Sequence, residues 1–102
     1  FMNYRNLRLA NLIQEELGKM ILREVEFPKS TLVTIVGVEV INDLRQAKIK
    51  LGIIPATAAK EALDILERNK SFLQYSLMKK INIKQVPRIE FELNADKLEI
   101  SD

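Results

Sequence analysis

Lysine and arginine are the side chains of this chain best suited to chemistry, and they are clustered. From Arg68 to Ile89 every charged residue is basic: Arg68, Lys70, Lys79, Lys80, Lys84 and Arg88. The sequence then turns acidic, with Glu90, Glu92, Asp96, Glu99 and Asp102. A second basic set, Arg5, Arg8, Lys19 and Arg23, falls on one side of an N-terminal helical pattern. Cations at this density pair with phosphate oxygens, and such binding weakens steeply with salt. A solvated helix face produces the same pattern, and a net charge of +2 does not choose between the two. Intrahelical pairing accounts for part of the N-terminal set, since Glu15 and Glu16 precede Lys19 by four and three residues. Arg5 and Arg8 have fewer acidic neighbours.

Catalytic chemistry finds little support. The chain has neither histidine nor cysteine, which removes the commonest general base, the commonest metal ligand and all thiolate chemistry. None of the patterns GxxxxGK[ST], GxGxxG or GxSxG occurs. Glu15 and Glu16 are adjacent on a helix and diverge, and Glu24 and Glu26 straddle a helix end. The expectation is a binding protein with no catalytic residue, metal or cofactor.

Composition agrees. The 102 residues are 47% apolar and 29% charged, the mix of one folded domain that buries its own core. No apolar run approaches the roughly 20 residues that span a bilayer, and no signal-peptide pattern is evident, so the cytoplasm is the expected compartment.

Six elements must position these cations. Residues 4–25 read as an amphipathic helix, with Leu9, Ala10, Ile13, Leu17, Met20 and Ile21 on one face and Pro28 beyond its end. Residues 32–41 are rich in Val, Ile and Thr and read as a strand. Ile41-Asn42-Asp43-Leu44 reads as a turn in which the Asp43 carboxylate caps backbone amides. In the next strand Ala47, Ile49, Leu51 and Ile53 alternate with Gln46, Lys48 and Lys50, which makes an antiparallel hairpin with one buried face. After Pro55, Thr57 is the expected N-cap of a helix to about Asn69, followed by a second helix from Ser71 to Ile81. Arg68-Asn69-Lys70-Ser71 should break the pair, because Asn and Ser compete for backbone hydrogen bonds. On the second helix Phe72 is expected in the core. Tyr75, one residue off the face of Leu73 and Leu77, is better placed to stack on a base, although packing is the favoured role for both. A last strand follows Pro87, with Ile89, Phe91 and Leu93 inward.

The order α-β-β-α-α-β, with a right-handed crossover, predicts an α+β two-layer domain: helices on one face of a three-stranded sheet, as in a type II KH fold. Residues 4–94 form the single expected domain, and residues 95–102 an acidic, frayed tail.

The hairpin is the point at which the sequence stops being generic. Thr34 to Ile49, with Asp43 and Leu44 in the turn and Ala47 three residues after the leucine, resembles the signature hairpin of the ribosome-binding factor A family. Arg5, Arg8, Ile13, Gln14, Leu17, Ile21 and Val25 resemble that family's first helix, and Val86-Pro87-Arg88-Ile89-Glu90-Phe91 its closing strand. Three positions depart from the pattern. Asn69-Lys70-Ser71 stands where the family has an Ala-x-Gly break, Gln74 where an arginine is expected, and Asn94 where the strand tends to end in Asp. Loss of the glycine argues against a KH-style backbone clamp on RNA.

The resemblance implies an assembly factor that binds the free small (30S) ribosomal subunit and 16S rRNA. It would act during late maturation and 5′-end processing and support growth in the cold. Its implied partners are the small subunit with its rRNA and a ribosome-associated GTPase that promotes release, with the protein acting as a monomer away from membranes. Arg5, Arg8, Lys70, Lys79, Lys80, Lys84 and Arg88 are the candidate RNA-binding residues. The alternatives are a general KH-like RNA-binding protein and a small protein–protein adaptor whose basic block meets an acidic partner.

Overall fold

The computed structural model describes residues 4–94. Helix α1 (Tyr4–Glu24) is followed by strands β1 (Leu32–Ile41) and β2 (Gln46–Ile54), a 3-10 turn (Ala56–Ala58), helices α2 (Ala59–Arg68) and α3 (Lys70–Lys80), and strand β3 (Arg88–Leu93). The expected element order and layer arrangement are observed. The sheet runs β1-β2-β3, with β1 antiparallel to β2 and β3 parallel to it.

The apolar positions of each element meet in one core. Ile13 and Leu17 of α1, Ile49 of β2, Leu66 of α2, Leu73 and Leu77 of α3 and Ile89 of β3 are all at 0% exposure. Each such side chain contributes about 2 kcal/mol through removal of apolar surface from water. Helix α1 packs on β1 and α3, while α2 packs on β2 and β3.

Strand β1 contains a bulge that the residue pattern did not announce. Ile35 pairs with Leu51 and Gly37 with Lys50, so Val36 is an extra residue. The insertion resets the alternation: Val33 and Ile35 before it, and Val38 and Val40 after it, all pack on the core. Side-chain amides of α1 bond to β1 carbonyls on both sides of the bulge. Gln14 Nε2 donates to Ile35 O at 3.2 Å, and Asn6 Nδ2 donates to Val40 O at 3.3 Å.

The hairpin turn spans residues 42–45, one residue later than expected. Asn42, Asp43 and Leu44 all have left-handed backbones, with φ of 56°, 56° and 68°. That conformation costs roughly 1–2 kcal/mol for an ordinary L-residue and less for Asn or Asp. Leu44 is held there by packing against the core. Arg45 N–H closes the turn on Ile41 O at 3.2 Å and Asn42 O at 3.1 Å. The expected cap is not made: the Asp43 carboxylate accepts no hydrogen bond among the described residues, because the left-handed backbone lets main-chain and Asn42 side-chain groups close the turn.

Three further expectations need correction. Thr57 lies inside the 3-10 turn rather than capping α2, because Ala58 N–H bonds to Pro55 O at 2.9 Å and winds the first turn tightly. The expected break between α2 and α3 is observed, and it is a single residue, Asn69. Asn69 Nδ2 reaches back to Ile65 O at 2.8 Å, while Asn69 O already accepts from Leu73 N–H at 2.9 Å. Phe72 is 47% exposed rather than in the core, since Leu73 and Leu77 alone fill the inward face of α3. Leu93 is likewise half-exposed, at the end of a strand whose inward residues Ile89 and Phe91 lie deeper in the sheet. The tail expected from residue 95 lies outside the described residues.

Candidate nucleic-acid interface

Three segments far apart in the sequence meet at one end of the sheet. Tyr4, Arg5, Arg8, Leu9 and Leu12 from the start of α1, Asp43 and Leu44 from the hairpin tip, and Ile83, Lys84 and Gln85 from the α3–β3 loop line one groove. Arg5, Arg8 and Lys84 are therefore brought together. The Arg8 guanidinium stands over the Tyr4 ring, 5.8 Å from its centroid, within range of a cation–π contact.

A second, more polar cleft adjoins the first and shares Gln85 with it. Asn42, Arg45, Gln46, Val86, Arg88 and Glu90 complete its lining. Its shape follows from the backbone: Arg88 N–H donates to Arg45 O at 2.9 Å, which ties the start of β3 to the start of β2. Arg45 was missed by the sequence reasoning, although its position directly after the turn places a cation at the hairpin tip. Together the two clefts carry Arg5, Arg8, Arg45, Lys84 and Arg88.

Lys79 and Lys80 are exposed in the last turn of α3. The Lys79 ammonium sits 5.2 Å from the centroid of the Tyr75 ring, and Tyr75 is 60% exposed. With Phe72 and Met78 also exposed, the outer side of α3 combines aromatic and aliphatic surface with cations.

Other cations are engaged elsewhere. Lys70 Nζ lies 2.9 Å from Glu90 Oε1 and 3.8 Å from Glu67 Oε1, so its charge is answered within the protein. Lys19 pairs with Glu15 at 3.6 Å and Glu16 at 3.9 Å, and Arg23 with Glu24 at 3.3 Å. The open sheet face is charge-balanced as well. Lys48 stands in register between Glu39 and Glu90, and Lys50 is beside Glu92 and 3.4 Å from Glu39. Among the described residues, positive side chains therefore outnumber negative ones mainly at the hairpin-tip end and on α3. Among the same residues no cluster of metal-ligating side chains occurs, and no helix is long and apolar enough to cross a membrane.

Comparison with known proteins bears on the family and the fold. The family model described as ribosome-binding factor A matches residues 5–99. A ribosome-binding factor A of Akkermansia muciniphila is 30% identical over 93 residues, covering 91% of this chain and 74% of the relative. The crystal structure of ribosome-binding factor A from Thermus thermophilus superposes with a TM-score of 0.75 at 22% identity, covering 86% of this chain and 93% of that one. A Thermus thermophilus homology model, fitted into an electron-microscopy map of a complex of that factor with the 30S subunit, matches with a TM-score of 0.68 at 22% identity, covering 83% of this chain and 90% of that one. With the family model matched across nearly all of its length, the chain belongs to the ribosome-binding factor A family.

Proposed function

We propose that this protein binds the free small ribosomal subunit through its rRNA and acts as an assembly factor rather than an enzyme. The observation that carries this reading is the convergence of Arg5, Arg8 and Lys84 on one groove, beside a cleft bearing Arg45 and Arg88. Phosphate contacts of this kind position a protein on RNA and supply most of its affinity. Family membership supports the choice of partner, because a relative of the same fold has been fitted into a map of its 30S complex. In this reading the protein works as a cytoplasmic monomer on 16S rRNA during late maturation and 5′-end processing. It supports assembly in the cold and is released with the help of a ribosome-associated GTPase.

Sedimentation with purified small subunits, large subunits and whole ribosomes, at low and moderate salt, tests the proposal. Selective association with free small subunits, displaced by competing rRNA, is the expected result. No association, or equal association with every particle, would overturn it. Selective association that rRNA does not displace would point instead to a protein partner on the subunit.

A further inference from the structure

We infer that the groove beside the hairpin tip is a pocket for one unpaired guanine, read by the Asp43 carboxylate. The inference rests on the RNA-binding reading above and adds base recognition to it.

Asp43 is the anomaly of the groove. Its neighbours there include Arg5, Arg8 and Lys84, yet it forms no ion pair within 4.0 Å and no hydrogen bond among the described residues. A carboxylate at this place repels phosphate and so opposes a purely electrostatic surface. Its oxygens only accept hydrogen bonds, so a ligand that satisfies them must bring donors. On the Watson–Crick edge of guanine, N1–H and the N2 amino group stand side by side and match the two carboxylate oxygens. Adenine and cytosine offer one amino group beside an acceptor, and uracil offers one N–H between two carbonyls.

The remaining walls suit a splayed-out nucleotide. Leu12 and Ile83 are 39% and 43% exposed and provide apolar surface for the face of a base. Tyr4 with the Arg8 guanidinium over its ring provides a stacking wall. Lys84 lines the same groove and supplies a cation for the adjoining phosphate. The left-handed turn packs Leu44 on the core and leaves Asp43 exposed at the groove.

The test is fluorescence anisotropy with uridine hexamers carrying one central guanosine, inosine or adenosine. Inosine lacks only the N2 amino group. Wild-type protein is expected to bind the guanosine hexamer about tenfold or more tightly than the other two, the range of one bidentate base contact. Asp43→Asn keeps a residue that tolerates the left-handed backbone and should erase this preference, weakening guanosine binding without weakening adenosine binding. Equal binding of all three hexamers by the wild type overturns the guanine pocket and leaves the RNA reading intact. Tighter binding of every hexamer by Asp43→Asn shows that the carboxylate only repels, and overturns it too. If no hexamer binds while the protein still sediments with small subunits, the pocket fails alone; if both fail, the RNA reading fails with it.

Discussion

Gln74 on α3 spends both ends of its amide on the entry to β3: its Oε1 accepts the Ile89 N–H at 2.8 Å, and its Nε2 donates to Pro87 O at 3.0 Å. The two bonds fix where β3 begins, and hence where Arg88 projects into the polar cleft. They also give the glutamine a physical reason. An arginine at this position has no acceptor and leaves the Ile89 N–H unanswered.

Gln74→Leu should therefore destabilise the fold by about 2 kcal/mol, because it strands two partly buried backbone groups. Urea unfolding with an unchanged slope and a lower midpoint is the expected result. An unchanged midpoint would show that water replaces the side chain at no cost.

The Lys70–Glu90 pair ties the first residue of α3 to the middle of β3. Both side chains are partly solvated, so a double-mutant cycle with Lys70→Met and Glu90→Gln should give a coupling of at most about 1 kcal/mol. Because the Lys70 charge is already answered, Lys70→Met should change RNA affinity far less than Lys84→Glu. Equal losses, measured by anisotropy on the same RNA, would return Lys70 to the interface.

Core and surface leucines should separate cleanly. Leu77 is fully buried, and Leu77→Ala should cost about 3 kcal/mol through lost transfer energy and a cavity. Leu22 is 88% exposed, and Leu22→Ala should stay within about 0.5 kcal/mol. Thermal unfolding of the two variants checks the contrast.

Lys79 and Lys80 occupy the negative end of the α3 dipole. Lys79→Glu with Lys80→Glu is expected to cost on the order of 1 kcal/mol of stability at low salt, in addition to weaker RNA binding. Restoring stability with salt while RNA affinity stays low separates the two effects. Full recovery of affinity relative to wild type at matched salt would assign both lysines to helix stability alone.

The elements were legible because their periods are local. Ile13 and Leu17 in α1, and Ala47 to Ile53 in β2, repeat at helical and strand spacing and end on the same core. What escaped depends on the backbone or on distant segments. The Val36 bulge leaves no composition signal, since valine suits either side of it. The free carboxylate of Asp43 follows from three consecutive left-handed residues, of which Leu44 is held only by tertiary packing. Phe72 sits beside Leu73 in sequence, and only the direction of α3 on the sheet decides which of the two is buried. The candidate interface was legible as a list of cations. Spacing along the chain could not show that Lys70 is neutralised by Glu90, or that Arg5 and Arg8 reach the same groove as Lys84.

The central claim is that the cationic groove at the hairpin tip is the surface that meets RNA. Its most direct test is binding of the Arg8→Glu, Lys84→Glu double variant to free small subunits across a salt series, with circular dichroism to confirm folding. At low salt the variant should bind at least tenfold more weakly than wild type, and its log affinity against log salt should flatten by about one to two units, the loss of two phosphate contacts. A folded variant with wild-type affinity and wild-type salt dependence would contradict the account.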